Sequence, residues 1–515
     1  MPCPSSLPAL TSWHLPALLD EAAASHGERP FIIGKQEITY AEAARQTRVI
    51  AGRLAEAKVG RGDRVLMVCQ NRLEMVLLAF ATLRLGAVFV ILSPQMKPEG
   101  FRKIFDQCEP KLVMLDAGTS SLRGETGSTS LIVPDEVEET VEWARRFSEL
   151  LAGEPLAAEF PGIDQDPAFL VFTSGSTGTP RGVILSHDNV RYATAGIQQR
   201  LGYEATDRIG VFLPLSFDYG LYQLFLAAQA GAAVFLGQPE MTGPELPAIL
   251  ADNGITVLPG VPTVFGGLLK MLSWRKRPLP ALRMATNTGD HLPQAYIRKL
   301  QELLPAVQIY PMYGLTECKR VSILLPEEYE QRPDSVGRAL DGTEVFTVDA
   351  EGNRLPPGEV GELVVRGRTL ALGYWRADEE TAKRYRRIGP GRARTMFSGD
   401  LCKVDAEGFI TFHGRGDFII KHKGHRMSPL EIEEVACQMP GIAAAGAVKD
   451  ETGGLLHLFL AVTQDEVSTE AVIEWLNERL ERVKVPERIH FIPELPKTAN
   501  QKVDRKALRA LLPTA

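Results

Sequence analysis

A run of small, hydroxylated residues between an apolar segment and a basic residue is the part of the sequence best suited to bind phosphates. The segment "LVFTSGSTGTPRGVILSH", residues 170–187, contains Thr-Ser-Gly-Ser-Thr-Gly at 173–178, followed by Arg181. Glycines let the backbone approach a ligand closely, and N–H groups and hydroxyls can then donate to phosphate oxygens. The segment lacks the GxxxxGK[ST] pattern of a Walker loop. Composition alone leaves two alternatives, a phosphate cradle and a flexible turn.

The core of this segment, "FTSGSTGTPRGV", resembles the phosphate-binding signature of the adenylate-forming superfamily, which includes acyl-CoA synthetases, luciferases and the adenylation domains of peptide synthetases. Four more segments resemble motifs of that family and occur in its order: "MYGLTE" (312–317), "FSGDLCKVDAEGFITFHGRGD" (397–417), "KHKGHRMSPLEIEEV" (421–435) and "LPKTANQKVDRKAL" (495–508). The resemblance begins with "ITYAEAARQ" near residue 38 and covers almost all of the remaining sequence. So many motifs in one order make coincidence a poor explanation.

The resemblance implies an enzyme that uses ATP and Mg²⁺ to activate a carboxylic acid. The acid attacks the α-phosphorus of ATP, giving an acyl-adenylate and pyrophosphate, and such a reaction depends mainly on positioning and on neutralising negative charge. By resemblance, Lys502 bridges the substrate carboxylate and the α-phosphate, while Thr316 contacts phosphate. Glu317 and Thr177 are implied to bind the metal.

A larger set of residues is implied to bind ATP. Asp400 suits the two ribose hydroxyls because an ionised carboxylate only accepts hydrogen bonds, Arg415 supports the same sugar, and Tyr313 stacks on adenine. The full set is Thr173, Ser174, Gly175, Ser176, Thr177, Gly178, Arg181, Thr288, Gly289, Asp290, Tyr313, Gly314, Asp400 and Arg415. Taken singly, Asp400 could be a turn residue and Lys502 a surface lysine, but the ordered motifs favour function.

The position of Asp417, directly after "GRG", matches the hinge of the family. In the family, the small C-terminal domain turns there after adenylation, which removes the lysine and forms the surface for thioester formation. A solvated turn residue is compatible with that role. The sequence departs from the family at Arg181, where Lys is usual, and at Gln501, where Gly commonly precedes the catalytic lysine. Arg181 keeps the positive charge, whereas Gln501 places a bulkier side chain beside Lys502.

The stretch "LPLSFDYGLYQL", residues 213–224, bears on the identity of the acid. Relatives that activate α-amino acids carry Asp at the position of Asp218, and a buried carboxylate can neutralise a substrate ammonium. The alternative is that Asp218 caps the helix that begins at "YGLYQL", a common role of Asp. By resemblance, the pocket residues are Asp218, Tyr219, Tyr222, Thr286, Met312, Arg320 and Val321, with Thr288 beside them. Arg320 is unusual there and indicates a polar or acidic amino acid, unless it points outward or binds a backbone carbonyl.

The acceptor of the activated acid is a pantetheine thiol. An amino acid would pass to the phosphopantetheine arm of a separate acyl or peptidyl carrier protein, as in secondary metabolism, and a fatty or other acyl acid to coenzyme A. The motifs do not separate the two, and nothing in them favours a luciferase. An alternative of another class is a nucleotide-binding protein that has lost catalysis, which the presence of Glu317, Asp400, Arg415 and Lys502 argues against.

Composition and charge favour a soluble, cytoplasmic protein. The net charge of −7 argues against a nucleic-acid partner, and the six scattered cysteines indicate reduced thiols rather than a disulfide framework or a metal site. No signal peptide is recognisable at the N-terminus. The most apolar stretch, "MVLLAFATLRLGAVFVIL", contains Arg84 and Gly86, so it predicts a buried helix and strand rather than a membrane span.

The elements that must position these residues alternate between short apolar strands and amphipathic helices up to about residue 340. That alternation predicts a layered α/β fold with a largely parallel sheet, arranged as two subdomains. Gly-rich hairpin patterns then predict a β-rich subdomain, and the last hundred residues or so predict a small, mobile α+β lid. The expected domains are 1–416 and 417–515.

Overall fold

The computed structural model describes residues 13–127, 129–137, 144–156, 161–174, 180–274, 277–388, 393–415, 420–422, 425–450, 455–462, 467–498 and 503–512. Within these residues the strands are β1 (Pro30–Ile33), β2 (Ile38–Thr39), β3 (Arg64–Val68), β4 (Val88–Leu92), β5 (Leu112–Leu115), β6 (Ser130–Val133), β7 (Ala144–Arg146), β8 (Pro167–Ser174), β9 (Pro180–Ser186), β10 (Arg208–Val211), β11 (Ala233–Leu236), β12 (Val257–Gly260), β13 (Met284–Asn287), β14 (Gln308–Tyr313), β15 (Ser322–Ile323), β16 (Ser335–Ala339), β17 (Glu344–Val348), β18 (Val360–Arg366), β19 (Gly373–Tyr374), β20 (Tyr385–Ile388), β21 (Ala393–Val404), β22 (Phe409–Arg415), β23 (Ile420–His422), β24 (His425–Met427), β25 (Ile442–Lys449), β26 (Leu456–Val462) and β27 (Arg488–Ile492).

The helices of the same residues are α1 (Pro16–His26), α2 (Tyr40–Glu56), α3 (Leu73–Arg84), α4 (Pro98–Cys108), α5 (Phe147–Leu150), α6 (His187–Leu201), α7 (Asp218–Ala230), α8 (Leu246–Asp252), α9 (Pro262–Trp274), α10 (Gln294–Leu303), α11 (Pro326–Tyr329), α12 (Asp378–Arg384), α13 (Pro429–Cys437), α14 (Thr469–Arg479) and α15 (Arg505–Ala510). Short 3₁₀ helices lie at Ala117–Glu125, Pro239–Thr242 and Arg482–Lys484.

The first α/β subdomain is built on an eight-stranded sheet in the order β19-β9-β8-β4-β3-β5-β6-β7. Strands β3 to β8 pair in parallel, while β9 and β19 add an antiparallel edge. Strand β4 reads VFVIL and is buried along its whole length, as expected of a central strand covered on both faces. The predicted helix and strand of the most apolar stretch are confirmed as α3 and β4.

The phosphate-loop segment differs from the arrangement expected of it. The strand-like "AFLVF" before the loop and the helix-like "SHDNV" after it predict a strand, a loop and then a helix. In the structure, the second half of the segment instead forms β9, antiparallel to β8 with Thr173 opposite Arg181. Helix α6 begins only afterwards, where the Ser186 side chain caps it by accepting from the Asn189 N–H. The apolar, β-branched run "VILS" explains this strand, because such residues pack well on a pleated sheet. The loop therefore joins two paired strands.

The second subdomain and the β-rich part share one sheet. The order is β17-β18-β21-β22-β16-β15-β14-β13-β12-β10-β11-β1-β2, with β20 added on β21. Strand β14 is the junction, because it pairs in parallel with β13 and antiparallel with β15. The expected β-rich hairpins β17–β18 and β21–β22 are confirmed, but they continue the α/β sheet instead of forming a separate one. Met312 and Tyr313 end β14 at this junction.

The C-terminal part forms a small α+β unit with its own core. Strands β25, β26 and β27 make a three-stranded sheet, and β23 and β24 form a hairpin. Ile432, Leu458 and Leu476 are among the buried residues of this separate core. The predicted fold class, a large α/β part with a small α+β C-terminal domain, is confirmed. The predicted boundary at 416/417 falls in residues outside those described and stays a prediction.

Two expectations about the chain as a whole can be compared with the structure. In the described part of the chain, no helix combines the length and the apolar character needed to cross a bilayer. The five cysteines in that part, at 69, 108, 318, 402 and 437, are buried and are not joined by disulfides.

Candidate active site

The three residues expected around adenosine lie together on strands β14, β21 and β22 of the large sheet. Asp400 and Arg415 are opposite each other in the β21–β22 pair, and the Tyr313 hydroxyl donates to Asp400 Oδ2 at 2.5 Å. Arg415 Nε is 3.5 Å from Asp400 Oδ1, and Oδ1 accepts no hydrogen bond within the described residues. Burial raises the pKa of the Asp400 carboxyl, although Tyr313 and Arg415 oppose the shift. A buried acceptor oxygen without a donor suits a ligand that brings hydroxyl groups.

The Glu317 side chain lies in a second polar group, just after β14. Its Oε1 accepts from the Tyr374 hydroxyl at 2.7 Å, and an Arg384 nitrogen lies 3.8 Å away. Arg181 is over the Tyr374 ring, with its Cζ 5.8 Å from the ring centroid. The β19–β9 pairing brings Tyr374 beside the strand that carries Arg181. Mg²⁺ is commonly held by one or two carboxylates together with phosphate oxygens, so the hard oxygens of Glu317 fit this ion.

Several predicted residues lie outside the described part of the chain. These are Gly175, Ser176, Thr177 and Gly178 of the phosphate loop, Asp417, and Lys502 with its neighbour Gln501. Thr173, at the edge of the loop, has its Oγ1 3.5 Å from the Arg181 carbonyl oxygen. Ser174 ends β8. The loop therefore leaves the sheet beside Arg181, on the strand that also pairs with β19.

Asp218 has a partner that the sequence did not suggest. The carboxylate is buried, and its Oδ2 is 3.2 Å from Nζ of Lys319. Nζ also lies 3.8 Å from the centroid of the Tyr222 ring, a cation–π contact. The helix-cap alternative for Asp218 is wrong, because Phe217 is the N-cap of α7 and no side chain caps this helix. Within the described residues, Asp218 Oδ1 accepts no hydrogen bond from any donor.

Of the other residues expected in the substrate pocket, Thr286 and Arg320 contact Tyr219. Its hydroxyl donates to the Thr286 carbonyl at 2.8 Å and is 2.6 Å from Thr286 Oγ1. Arg320 lies over the Tyr219 ring, with its Cζ 5.3 Å from the centroid. The Val321 N–H donates to the Tyr313 carbonyl at 2.9 Å and so ties the segment after Glu317 back to β14. Met312 and Val321 are both buried. The alternative of an outward-pointing Arg320 is wrong, since 3% of this residue is exposed.

Gly314 is required by the fold of this segment. A Cβ built on Gly314 would lie 2.0 Å from the Lys319 carbonyl oxygen, so no larger residue fits unless the backbone moves. Lys319 itself has a φ of 58°, a left-handed conformation that is uncommon for residues other than glycine. Thr316 lies half-buried in the same turn. The turn from Gly314 to Lys319 thus places Glu317 on one side and directs Lys319 and Arg320 to the other.

The residues after β13 face the C-terminal domain. Thr288 is buried, Gly289 has a φ of 91°, and the carboxylate of Asp290 accepts from the His291 N–H at 2.9 Å. Burial raises the pKa of Glu433 in α13, and the charge of Asp290 adds to that shift. No contact in the described residues joins Asp290 to Asp400 or Glu317, so its predicted ATP role stays a prediction.

A contact between the two domains follows directly along the chain. His291 Nε2 and the Gln294 N–H both lie 2.8 Å from carboxylate oxygens of Glu434. The Tyr296 hydroxyl donates to the Ala443 carbonyl. Burial by itself would lower the pKa of His291, but the hydrogen bond and charge of Glu434 outweigh that effect and raise it. Residues 291–296 of the large domain thus contact α13 and β25 of the C-terminal domain.

Sequence reasoning missed four contributors to the site: Lys319, Tyr374, Arg384 and the His291–Glu434 pair. Lys319 carried a signal, because it directly follows "MYGLTEC" and precedes Arg320, and Glu434 lies within the motif-like segment 421–435. Tyr374 and Arg384 belong to none of the motifs, and only their contacts in the folded structure show that they meet Glu317.

The chain matches the family model described as AMP-binding enzyme over residues 19–375, and the model described as AMP-binding enzyme C-terminal domain over 431–502. Tyrocidine synthase 2 of Brevibacillus parabrevis is 27% identical over 95% of this chain, which spans only 13% of that relative's length. The L-proline--[L-prolyl-carrier protein] ligase of Streptomyces coelicolor (strain ATCC BAA-471 / A3(2) / M145) is 28% identical over 95% of this chain and 94% of that protein. The 3-hydroxybenzoate--CoA ligase of Aromatoleum sp. (strain CIB) is also 28% identical, over 94% of each.

Two solved structures resemble this chain in fold. VinN in complex with L-aspartate is similar with a TM-score of 0.70 and 30% identity, covering 78% of this chain and 98% of that one. The anthranilate CoA ligase AuaEII in complex with anthranoyl-AMP has a TM-score of 0.86 over 96% of both chains, at 23% identity, and so shares the fold.

Proposed function

The chain belongs to the AMP-binding enzyme family of AMP-forming ligases, and we propose that it activates an amino acid with ATP and transfers it to the phosphopantetheine thiol of a separate carrier protein. The observation that carries this proposal is the environment of Asp218. Its carboxylate is buried beside an aromatic ring, already binds one ammonium group, and keeps Oδ1 without a donor among the described residues. A carboxylate has two oxygens and about four acceptor sites, so a substrate ammonium can bind beside Lys319.

The proposed chemistry has two steps. A carboxylate oxygen of the amino acid attacks the α-phosphorus, an O–P bond forms, and the bond to the β-phosphate oxygen breaks to release pyrophosphate. The thiol then attacks the acyl carbon, loses its proton, and displaces AMP. In the first step the chain's main task is to hold the two anions together and to neutralise charge that develops at phosphorus.

In the proposal, three groups of residues bind the nucleoside, the metal ion and the phosphates, respectively. Asp400, Tyr313 and Arg415 bind the nucleoside, with Asp400 accepting from the ribose hydroxyls. Glu317 would hold Mg²⁺, which when bound neutralises phosphate charge, and Tyr374 orients the carboxylate. Lys502 bridges the acid and the α-phosphate, and the 173–178 loop contacts the outer phosphates.

Two similarities support an amino acid as substrate, and the first of them also supports a carrier protein as acceptor. The L-prolyl-carrier protein ligase spans nearly the same length as this chain, and VinN was solved with L-aspartate bound. The Asp218–Lys319 pair also favours a second candidate, a CoA ligase for an acid without an amine. Since Lys319 already neutralises Asp218, the pocket can bury an uncharged acyl group without leaving a carboxylate unpaired.

The test of the proposed function is ATP–pyrophosphate exchange over a panel of amino acids and of aryl and fatty acids, with transfer to coenzyme A and to a phosphopantetheinylated carrier protein as the second readout. We expect exchange with amino acids only, and Asp218→Asn should lower kcat/KM for them by about 10- to 100-fold, because a charge-assisted hydrogen bond is lost. Lys319→Met, which removes the neighbouring cation and keeps Asp218, serves as the matched control and should still accept amino acids.

Exchange confined to acids without an amine, and unaffected by Asp218→Asn, would contradict the amino-acid proposal and support the CoA ligase. The double variant Asp218→Asn/Lys319→Met covers the case in which Asp218→Asn misfolds because it leaves a buried lysine without its partner. This variant removes both charges, so it leaves no buried lysine unpaired, and it should show the same loss of kcat/KM for amino acids as Asp218→Asn.

The pH dependence of substrate binding provides an independent check. Burial lowers the pKa of Lys319 to about 8; Asp218 opposes the shift, while Arg320 adds to it. Below that pH the protonated lysine repels the substrate ammonium that binds Asp218 beside it, and above that pH the neutral lysine no longer opposes binding. We therefore expect KM for an amino acid to fall by up to about tenfold between about pH 7 and pH 9. Steady-state kinetics should show a flat profile in Lys319→Met; the same slope in both proteins would rule out Lys319 as the titrating group.

A further inference from the structure

The guanidinium of Arg320 is a buried cation whose charge no carboxylate of the described chain neutralises directly. The residue is 3% exposed, its Nε has no hydrogen-bond partner among the described residues, and Arg320 makes no ion pair there. Its contact is with the face of Tyr219. Arginine carries five N–H donors and cannot lose its proton at ordinary pH, so burying it without an acceptor is costly unless a ligand supplies one.

The charges around Arg320 favour an anion. Lys319 and Arg320 are consecutive cations, and Asp218, the one carboxylate that ion-pairs at this place among the described residues, binds Lys319. With Lys319 protonated, the three side chains sum to one positive charge. A substrate ammonium at Asp218 would raise this to two positive charges. An additional negative group on the same substrate would restore the balance.

The position of Arg320 is fixed by the fold. The next residue, Val321, is hydrogen-bonded to the end of β14, and Tyr219, beneath the guanidinium, has its hydroxyl engaged by Thr286. A ligand can therefore contact the ring face of Tyr219, but the hydroxyl group already donates its proton to Thr286. Of the two, Arg320 is the group with donors to offer a ligand in this part of the pocket.

We propose that Arg320 binds a second carboxylate of the substrate, so that the activated acid is an amino acid with two carboxylates. One carboxylate reacts with ATP, and the other accepts paired hydrogen bonds from the planar guanidinium, the geometry in which arginine binds carboxylates most strongly. This inference rests on the proposed function, in which Asp218 binds the amine.

The experiment uses two matched series in which the amine and the second carboxylate vary independently. One series is aspartate, asparagine, succinate and succinamate; the other is glutamate, glutamine, glutarate and glutaramate. ATP–pyrophosphate exchange is measured for each compound with the wild type, Arg320→Gln and Arg320→Lys. In the wild type, the compounds with both groups should exceed their amides in kcat/KM by about 10- to 100-fold.

In Arg320→Gln the preference for the carboxylate over the amide should vanish, and Arg320→Lys should keep part of it because the charge remains. A purely structural role would lower exchange with every substrate alike and leave the ratio unchanged, which would overturn the proposal. Arg298→Gln, on the exposed side of α10, is the matched control and should keep the wild-type ratio.

If Arg320→Gln fails to fold, exchange measured with the wild type alone still tests the role of Arg320. Equal exchange with an acid and its amide, or no exchange with any compound that has two carboxylates, overturns the role of Arg320. Equal exchange with aspartate and succinate, by contrast, removes the amine role of Asp218 and leaves that of Arg320 in place. The failure of the proposed function and the failure of this inference are therefore distinguishable.

Discussion

Lys502→Ala is expected to lower the rate of adenylate formation by about 10²- to 10³-fold while leaving ATP affinity nearly unchanged. The reason is that an ammonium group placed between the acid and the α-phosphate stabilises charge that develops only in the transition state, and the loss of one such group typically has an effect of this size. Single-turnover formation of the acyl-adenylate gives the rate, and equilibrium binding of ATP gives the affinity.

The second half-reaction supplies the internal control for this variant. Because the lysine is expected to leave the site before thioester formation, Lys502→Ala should transfer a chemically prepared acyl-adenylate to the thiol at the wild-type rate. Lys506→Ala removes an exposed lysine of the nearby helix α15 and should leave both steps unchanged. Normal adenylation by Lys502→Ala would show that the C-terminal motif has been assigned the wrong role.

Glu317→Gln is expected to reduce adenylation by about 100-fold or more and to raise the Mg²⁺ concentration needed for half-maximal rate. Glutamine keeps an oxygen that can accept from the Tyr374 hydroxyl, so the fold of the turn is preserved while the negative charge is lost. A carboxylate that holds a metal against phosphate contributes several kcal/mol of charge stabilisation in the transition state. Exchange rates measured over a Mg²⁺ series separate the metal requirement from the maximal rate.

The matched control for this prediction is Glu327→Gln, an exposed carboxylate on the following helix, α11. It should keep the wild-type dependence on Mg²⁺. If Glu317→Gln loses rate without any change in that dependence, Glu317 acts through Tyr374 and Arg384 and not through the metal.

The grouping of the residues expected around adenosine was predictable, because each of them belongs to a short motif that is recognisable in the local sequence. Tyr313, Asp400 and Arg415 lie in separate motifs, and the register of β21 with β22 and the end of β14 bring them together as the resemblance implied. The alternation of short apolar strands with helices likewise sufficed for the α/β class, because buried strands and amphipathic helices have distinct hydrophobic periods.

What could not be predicted depends on pairings between distant segments. Asp218 and Lys319 are far apart in sequence, and no local pattern indicates that they pair. The sequence therefore predicted that Asp218 binds a substrate amine, but not that Lys319 already forms an ion pair with it. The strand β9 was missed because a short apolar run after a glycine-rich loop is ambiguous until its partner strand is known. The merging of the β-rich part with the parallel sheet follows from β14 pairing on both sides, which no local pattern encodes.

The close approach of Gly314 to the Lys319 carbonyl connects the residues proposed to bind the nucleotide with those proposed to bind the acid. Because no side chain separates the two backbones, a displacement of Lys319 or Arg320 on acid binding bears directly on Gly314 and, one residue earlier, on Tyr313. Binding of the two ligands is then coupled thermodynamically. If the acid changes the affinity for ATP by some factor, ATP must change the affinity for the acid by the same factor. Selectivity for the acid, measured in the absence of nucleotide, would then differ from the selectivity measured with ATP bound.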